Sequence, residues 1–187
     1  MSILLKKMAN KYENRRVRMT KSLIKNALLE LLEQYELSNI TVTAVCDTAD
    51  IHRSTFYKYY TDTADLLKEI EQDYLDQIPR VPSGLPREQV LKESTAFFDF
   101  VKQNGKTFRI LLGESTGSGF TARLVEFLCS GYIPVPVDND DLLAKHMQIY
   151  IANGTVGMLK EWIWDNFPSS SEKIAEMIYF LTMKVIS

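Results

Sequence analysis

An all-α fold is predicted by three observations on the sequence. Apolar residues recur at helical spacing from about residue 20 to near the end of the 187-residue chain. No stretch alternates apolar and polar residues for long enough to compete as a strand. The one block that cannot be helical, Pro79-Arg80-Val81-Pro82-Ser83-Gly84-Leu85-Pro86, holds three prolines and a glycine, and it divides the helical pattern into two parts.

Taken in order, residues 1–19 are basic, with Lys6, Lys7, Lys11, Arg15, Arg16 and Arg18 against the single acid Glu13. Such an arm suits phosphates or a minor groove, and equally a solvated tail. Thr20 reads as the N-cap of a first helix with Leu23, Ile24, Ala27, Leu28, Leu31 and Leu32 on one face and Lys21 and Lys25 outside. Residues 35–39 close it as a loop. Thr41 reads as a second N-cap, after which Val42, Val45, Cys46 and Ala49 form one apolar stripe. Asp50-Ile51-His52 breaks that stripe, and Asp is one of the few residues other than Gly that enters the left-handed region a helix-to-helix turn needs. A further helix starts near His52 to Ser54. It turns Phe56 and Tyr60 inward and leaves Arg53, Ser54, Thr55, Tyr57 and Lys58 on its outer side. Two helices on a short turn, with hydrogen-bond donors at the start of the second, match the way a recognition helix meets base edges in a major groove.

Asp62 caps a fourth helix to about Gln77, with Leu66, Leu67, Ile70 and Tyr74 on one face. Beyond the proline-rich block the pattern predicts helices over about 87–104, 106–112, 120–130, 141–166 and 171–186. On the last two, Met147, Tyr150, Ile151, Gly154, Met158, Trp162 and Ile174, Ile178, Leu181, Val185 fall at helical spacing. Those stripes suit either a four-helix interface between two copies, with Gly154 and Gly157 allowing close approach, or the monomer's own core. Phe97, Phe98, Phe100, Phe108, Met147 and Tyr150 supply enough aromatic and soft side chains to line a pocket, or simply to fill a core.

The run from about Thr20 to Leu67 resembles the DNA-binding domain of the TetR family of transcriptional regulators. The residues that carry the likeness are Ile40-Thr41-Val42, the run Ala49 to Tyr57, Tyr59-Tyr60-Thr61-Asp62, and Asp65-Leu66-Leu67. The segment Tyr150 to Ile163 similarly looks like the penultimate, dimer-forming helix of some members. Two departures stand out. The family usually has Gly where Asp50 stands, and a phosphate-binding Lys where Thr63 stands. The resemblance implies DNA contact by Thr43, Arg53, Ser54, Thr55, Tyr57, Lys58 and Tyr59. Arg53, Thr55 and Lys58 then read bases, and Thr43, Tyr57 and Tyr59 hold phosphates. It also implies that the fourth helix joins head to body, and that a small apolar effector sits in the body near Phe97, Phe100, Phe108, Met147 and Tyr150. Gly154, Met158, Trp162, Ile174, Ile178 and Leu181 would serve a homodimer. A protein partner in place of the small effector is the alternative.

Charge agrees with that reading. The chain is −2 overall, but residues 1–60 hold ten Lys or Arg against six Asp or Glu, a net of +4. A basic head on an acidic body is what a nucleic-acid-binding protein presents. Two cysteines, Cys46 and Cys129, have no metal-like spacing, which points to a reduced, cytoplasmic protein without metal or cofactor. No signal region and no long apolar run suggest secretion or membrane spanning. Gly113 to Gly119 lacks the Lys-Ser/Thr and the preceding strand of a phosphate loop. No nucleophile-base pair or paired carboxylates stand out, so an enzyme is not expected. The organisation expected is an arm and helix-turn-helix domain at 1–61, a connecting helix at 62–78, and an all-helical ligand-binding and dimerisation domain at 87–187. The function expected is an effector-released repressor on a palindromic operator. The alternative is a helical adaptor that binds a protein rather than DNA.

Overall fold

The computed structural model describes residues 3–78, 85–113, 116, 117, 119–129 and 141–186, and every regular element among them is a helix. Of the proline-rich segment expected between head and body, Pro79 to Pro86, residues 79–84 lie outside the described residues, and Pro86 stands at the N-cap position of the helix that follows. The chain divides into two compact units, one of Met1–Ile70 with Ser115–Ser118, the other of Glu71–Glu114 with Gly119–Ser187. The division falls inside the fourth helix, which therefore gives residues to both.

In the first unit, α1 (Ile3–Leu32) runs unbroken through Thr20. The expected cap there is corrected. The Thr20 hydroxyl donates to the Arg16 carbonyl at 3.0 Å, one turn back, and no Gly or Pro between 3 and 32 gives the helix a reason to stop. Its Ile24, Ala27, Leu28 and Leu32 are buried as a stripe, whereas Leu23, expected on the same face, is half exposed. A single turn of 3₁₀ helix at Leu37–Asn39 leads to α2 (Val42–Thr48), whose N-cap Thr41 accepts a bond from the Ala44 N–H at 3.2 Å. Asp50 takes a φ of 51°, the left-handed turn read from the sequence. Then come α3 (Arg53–Phe56) and α4 (Thr63–Asp76). At the start of α4 the Asp62 carboxylate accepts from the Asp65 N–H at 2.8 Å, and the Asp65 carboxylate accepts from the Thr61 N–H at 3.0 Å. This reciprocal cap satisfies two backbone donors at the helix entry.

The second unit contains α5 (Arg87–Gln103), α6 (Gly105–Leu112), α7 (Phe120–Cys129), α8 (Asp141–Trp164) and α9 (Ser171–Ile186). Helix α8 packs on α6, α7 and α9, and α9 packs along α5. Ring contacts hold the core. Tyr74, Phe100 and Phe108 form one group with centroids 5.4–5.9 Å apart, and Phe98, Trp162 and Phe167 form another at 4.8–5.7 Å. Arg109 donates to the Ile163 carbonyl at 2.5 Å, capping the last turn of α8, where a cation is also favoured by the helix dipole. After α8 the chain passes through Asn166 and Phe167, both left-handed, and the Trp162 indole N–H donates to the Ser169 carbonyl at 3.1 Å. A Cβ on Gly105 would stand 2.5 Å from the tip of the Phe167 ring, so any larger residue there must displace that ring.

Candidate nucleic-acid interface

The helix pair α2 and α3 is fixed from its inner side. Val45 and Cys46 of α2, Ala49 at its C-cap, and Phe56 and Tyr60 of the α3 segment are all buried. Although α3 ends as an α-helix at Phe56, the Tyr60 N–H still bonds the Phe56 carbonyl at 3.1 Å, so Tyr60 keeps its place one turn on. The Phe56 ring meets Tyr57 at 5.6 Å and Tyr60 at 5.7 Å. Burial pushes the Cys46 thiol up, and the nearby Arg53 charge pulls the other way without cancelling it.

With that side packed, the outer side is left to solvent. Thr43, Arg53, Ser54, Tyr57 and Lys58 are exposed, and Thr55 and Tyr59 are half-buried. All seven residues that the resemblance implicated in DNA contact thus have accessible surface, and six of them fall between 53 and 59. Two are cations, and the remaining five carry hydroxyls that donate to phosphate or base acceptors. Thr63, where a lysine was expected from the family, opens α4 and is half-buried.

Sequence reasoning missed the support behind this face. Lys21 and Lys25, expected outside, are drawn onto Glu69 of α4. The Lys21 Nζ donates to its Oε2 at 2.8 Å and the Lys25 Nζ lies 2.6 Å from its Oε1. The Tyr60 hydroxyl donates to the same Oε1 at 3.2 Å. Burial alone would raise the Glu69 carboxyl, but the bonds from the two lysines outweigh it and hold the group below the usual carboxylate range. The only sequence signal for this was the spacing of Lys21 and Lys25, one turn apart on α1.

In the second unit the five residues proposed to line an effector site do not converge. Phe108 is fully buried against half-buried Phe100, and buried Phe97 meets Phe98 at 5.2 Å. Met147 is half-buried, and Tyr150 is 69% exposed on the outer side of α8. Tyr150 belongs instead to an open groove of about 420 Å³ between α8 and α9, lined also by Gly154, Met158, Ile178 and Leu181. Those last four are residues proposed for a dimer interface. The other two, Trp162 and Ile174, are 3% and 4% exposed and are packed into the unit's own core.

A helix-turn-helix head followed by an all-helical body does not by itself assign a function. Residues 88–184 match a family model of the TetR class described as the C-terminal region of transcriptional regulators. Comparison with curated proteins gave no match. Among solved structures the chain is similar to a TetR transcriptional regulator from Streptococcus agalactiae, with a TM-score of 0.68 and 23% identity over 92% of this chain and 98% of that one. It is also similar to the dihydroxyacetone kinase operon activator DhaS, with 0.60 and 19% over 89% and 96%. A third likeness is to NalD, the secondary repressor of the MexAB-OprM efflux pump in Pseudomonas aeruginosa, with 0.55 and 14% over 90% and 97%. At these identities the structural likeness speaks to the fold, and the family match carries the assignment. The chain belongs to the TetR family of transcriptional regulators.

Proposed function

We propose that this regulator is a repressor that binds a roughly palindromic operator in double-stranded DNA as a homodimer and leaves it when a small apolar effector binds the body. The observation that carries the reading is the exposed donor set Thr43, Arg53, Ser54, Tyr57 and Lys58 on a helix pair whose opposite side is fully packed. Arg53, Thr55 and Lys58 read bases, Arg and Lys suiting the two acceptors of guanine, while Thr43, Tyr57 and Tyr59 hold phosphates and set the register. The homodimer is supported by the apolar groove between α8 and α9. Apart from the backbone of their own helix, Gly154 and Gly157 have nothing within 4 Å of where a Cβ would stand, so packing against the rest of the chain does not require them. We assign the effector to the helical body without naming its lining, since Phe97 and Phe108 are packed into the core, and Tyr150 to the contact between copies. DhaS is an activator and NalD a repressor, so the fold serves both directions.

The test is selection of bound fragments from a random DNA pool at two salt concentrations, followed by a transcription reporter on the selected site. A palindromic consensus with reduced transcription bears the proposal out. Recovery of no consensus, with binding that vanishes at moderate salt, favours the adaptor reading.

A further inference from the structure

One carboxylate on α4 takes bonds from three groups on two other elements of the first unit. Lys21 and Lys25 come from α1 and Tyr60 from the end of the recognition segment, at 2.8, 2.6 and 3.2 Å. The Lys21 ammonium also lies 5.2 Å from the centroid of the Tyr60 ring and 5.9 Å from that of Tyr59. Tyr59 is half-buried and one of the residues assigned above to a phosphate. The Lys21 charge therefore stands at the margin of the DNA face, and Glu69 is the anion that answers it there.

We propose that Glu69 is a positioning residue for DNA recognition, holding the Tyr59-Tyr60 end of the recognition segment against α1 while neutralising Lys21 beside the phosphate-contacting surface. This rests on the DNA-binding reading and adds to it a residue that never touches DNA. Specific binding needs Tyr59 held in register, because phosphate contacts orient a protein on the duplex. Non-specific binding needs only free positive charge. Glu69 favours the first and suppresses the second. Removal of its charge acts on both terms in opposite directions, which loss of fold stability does not do.

The experiment titrates the selected operator and a random duplex of equal length with the wild type, Glu69→Gln and Glu69→Asp across a series of salt concentrations. Circular dichroism checks each fold. Gln keeps the size and one acceptor oxygen, but it loses the charge and puts an NH2 donor where the second oxygen stood. For Glu69→Gln the expected result is tighter binding to random DNA and a log-log salt slope steeper by about 1, one further phosphate being neutralised. The operator-to-random affinity ratio falls about tenfold. Asp keeps the charge but shortens the reach, so Glu69→Asp retains the wild-type slope while the ratio falls. An unchanged slope and ratio in Glu69→Gln overturns the proposal, as does equal weakening on both DNAs at unchanged slope. If Glu69→Gln does not fold, Glu69→Asp decides, and a wild-type ratio there overturns it. A wild-type protein that binds neither DNA overturns the DNA-binding reading itself, a result separable from any of these.

Discussion

Arg53 is exposed at the first position of α3, where a guanidinium can take both acceptors of a guanine. Arg53→Ala is expected to cost about 1–3 kcal/mol at the operator and to relax preference at one base pair, measured by competition among single-base operator variants. Uniform weakening across all sequences would instead mark a phosphate contact. Asp50, at φ 51°, tests the turn rather than the DNA. Asp50→Gly should hold or raise stability, and Asp50→Val should lower it by about 1–2 kcal/mol in a denaturant titration. Glu69 has a folded pKa lowered below its unfolded value, so its contribution to stability is present above the unfolded pKa. It is lost as pH falls through the folded pKa, and the gap in melting temperature between wild type and Glu69→Gln should narrow on acidification. What was legible at this scale was whatever a residue decides by itself or with near neighbours. Asp50 tolerates the left-handed turn, Thr41 caps α2, and Phe56 and Tyr60 share a face. Glu69 and Glu71 were not legible, because each is placed by cations on another helix. An acid on an amphipathic helix otherwise reads as surface.

Helix α4 makes that point energetically. Glu71 is 1% exposed, and its carboxylate pairs with Arg123 of α7 inside the second unit. A carboxylate at such depth is tolerated only with its partner, since desolvation of an isolated charge costs several kcal/mol. Arg123→Met strands the anion and should destabilise the protein by about 3 kcal/mol, as read from urea unfolding. Glu71→Leu combined with Arg123→Met removes both charges and should recover most of that loss. A double variant no more stable than the single one would mean the pair is not what holds the two helices. The existence of the helices was legible from periodicity, and α5, α6, α8 and α9 begin and end within two residues of expectation. The start of α1 was not, because a threonine before an apolar stripe looks the same whether it caps a helix or bonds backward within one. The sorting of apolar stripes was also hidden. Trp162 and Met158 share α8, yet one is buried under Phe98 and Phe167 and the other faces the groove.

At the scale of the whole molecule, the outward side of α8 and α9 carries more exposed apolar surface than a lone chain needs. Ile149, Tyr150, Met177, Phe180, Leu181 and Met183 are each at least 41% exposed, and Tyr150 and Phe180 exceed 55%. Surface of that kind in one region marks a contact that the single chain leaves open. In the homodimer proposed above, two antiparallel pairs of such helices would bury it as a four-helix bundle. Leu181, at 49% exposure in the groove, is the position to test, because a charge there meets solvent in the monomer and an apolar partner only in the dimer. Leu181→Glu should leave helix content unchanged, shift sedimentation from dimer to monomer, and lower operator affinity by roughly 10², since two linked half-sites give way to one. Trp162→Ala provides the contrast. It empties a packed core position and should cost about 3–5 kcal/mol of stability, without the selective loss of assembly. A Leu181→Glu protein that remains dimeric and binds the operator at wild-type strength would move the subunit contact away from α8 and α9, and with it the spacing of about 34–36 Å that a palindromic operator requires of two recognition helices.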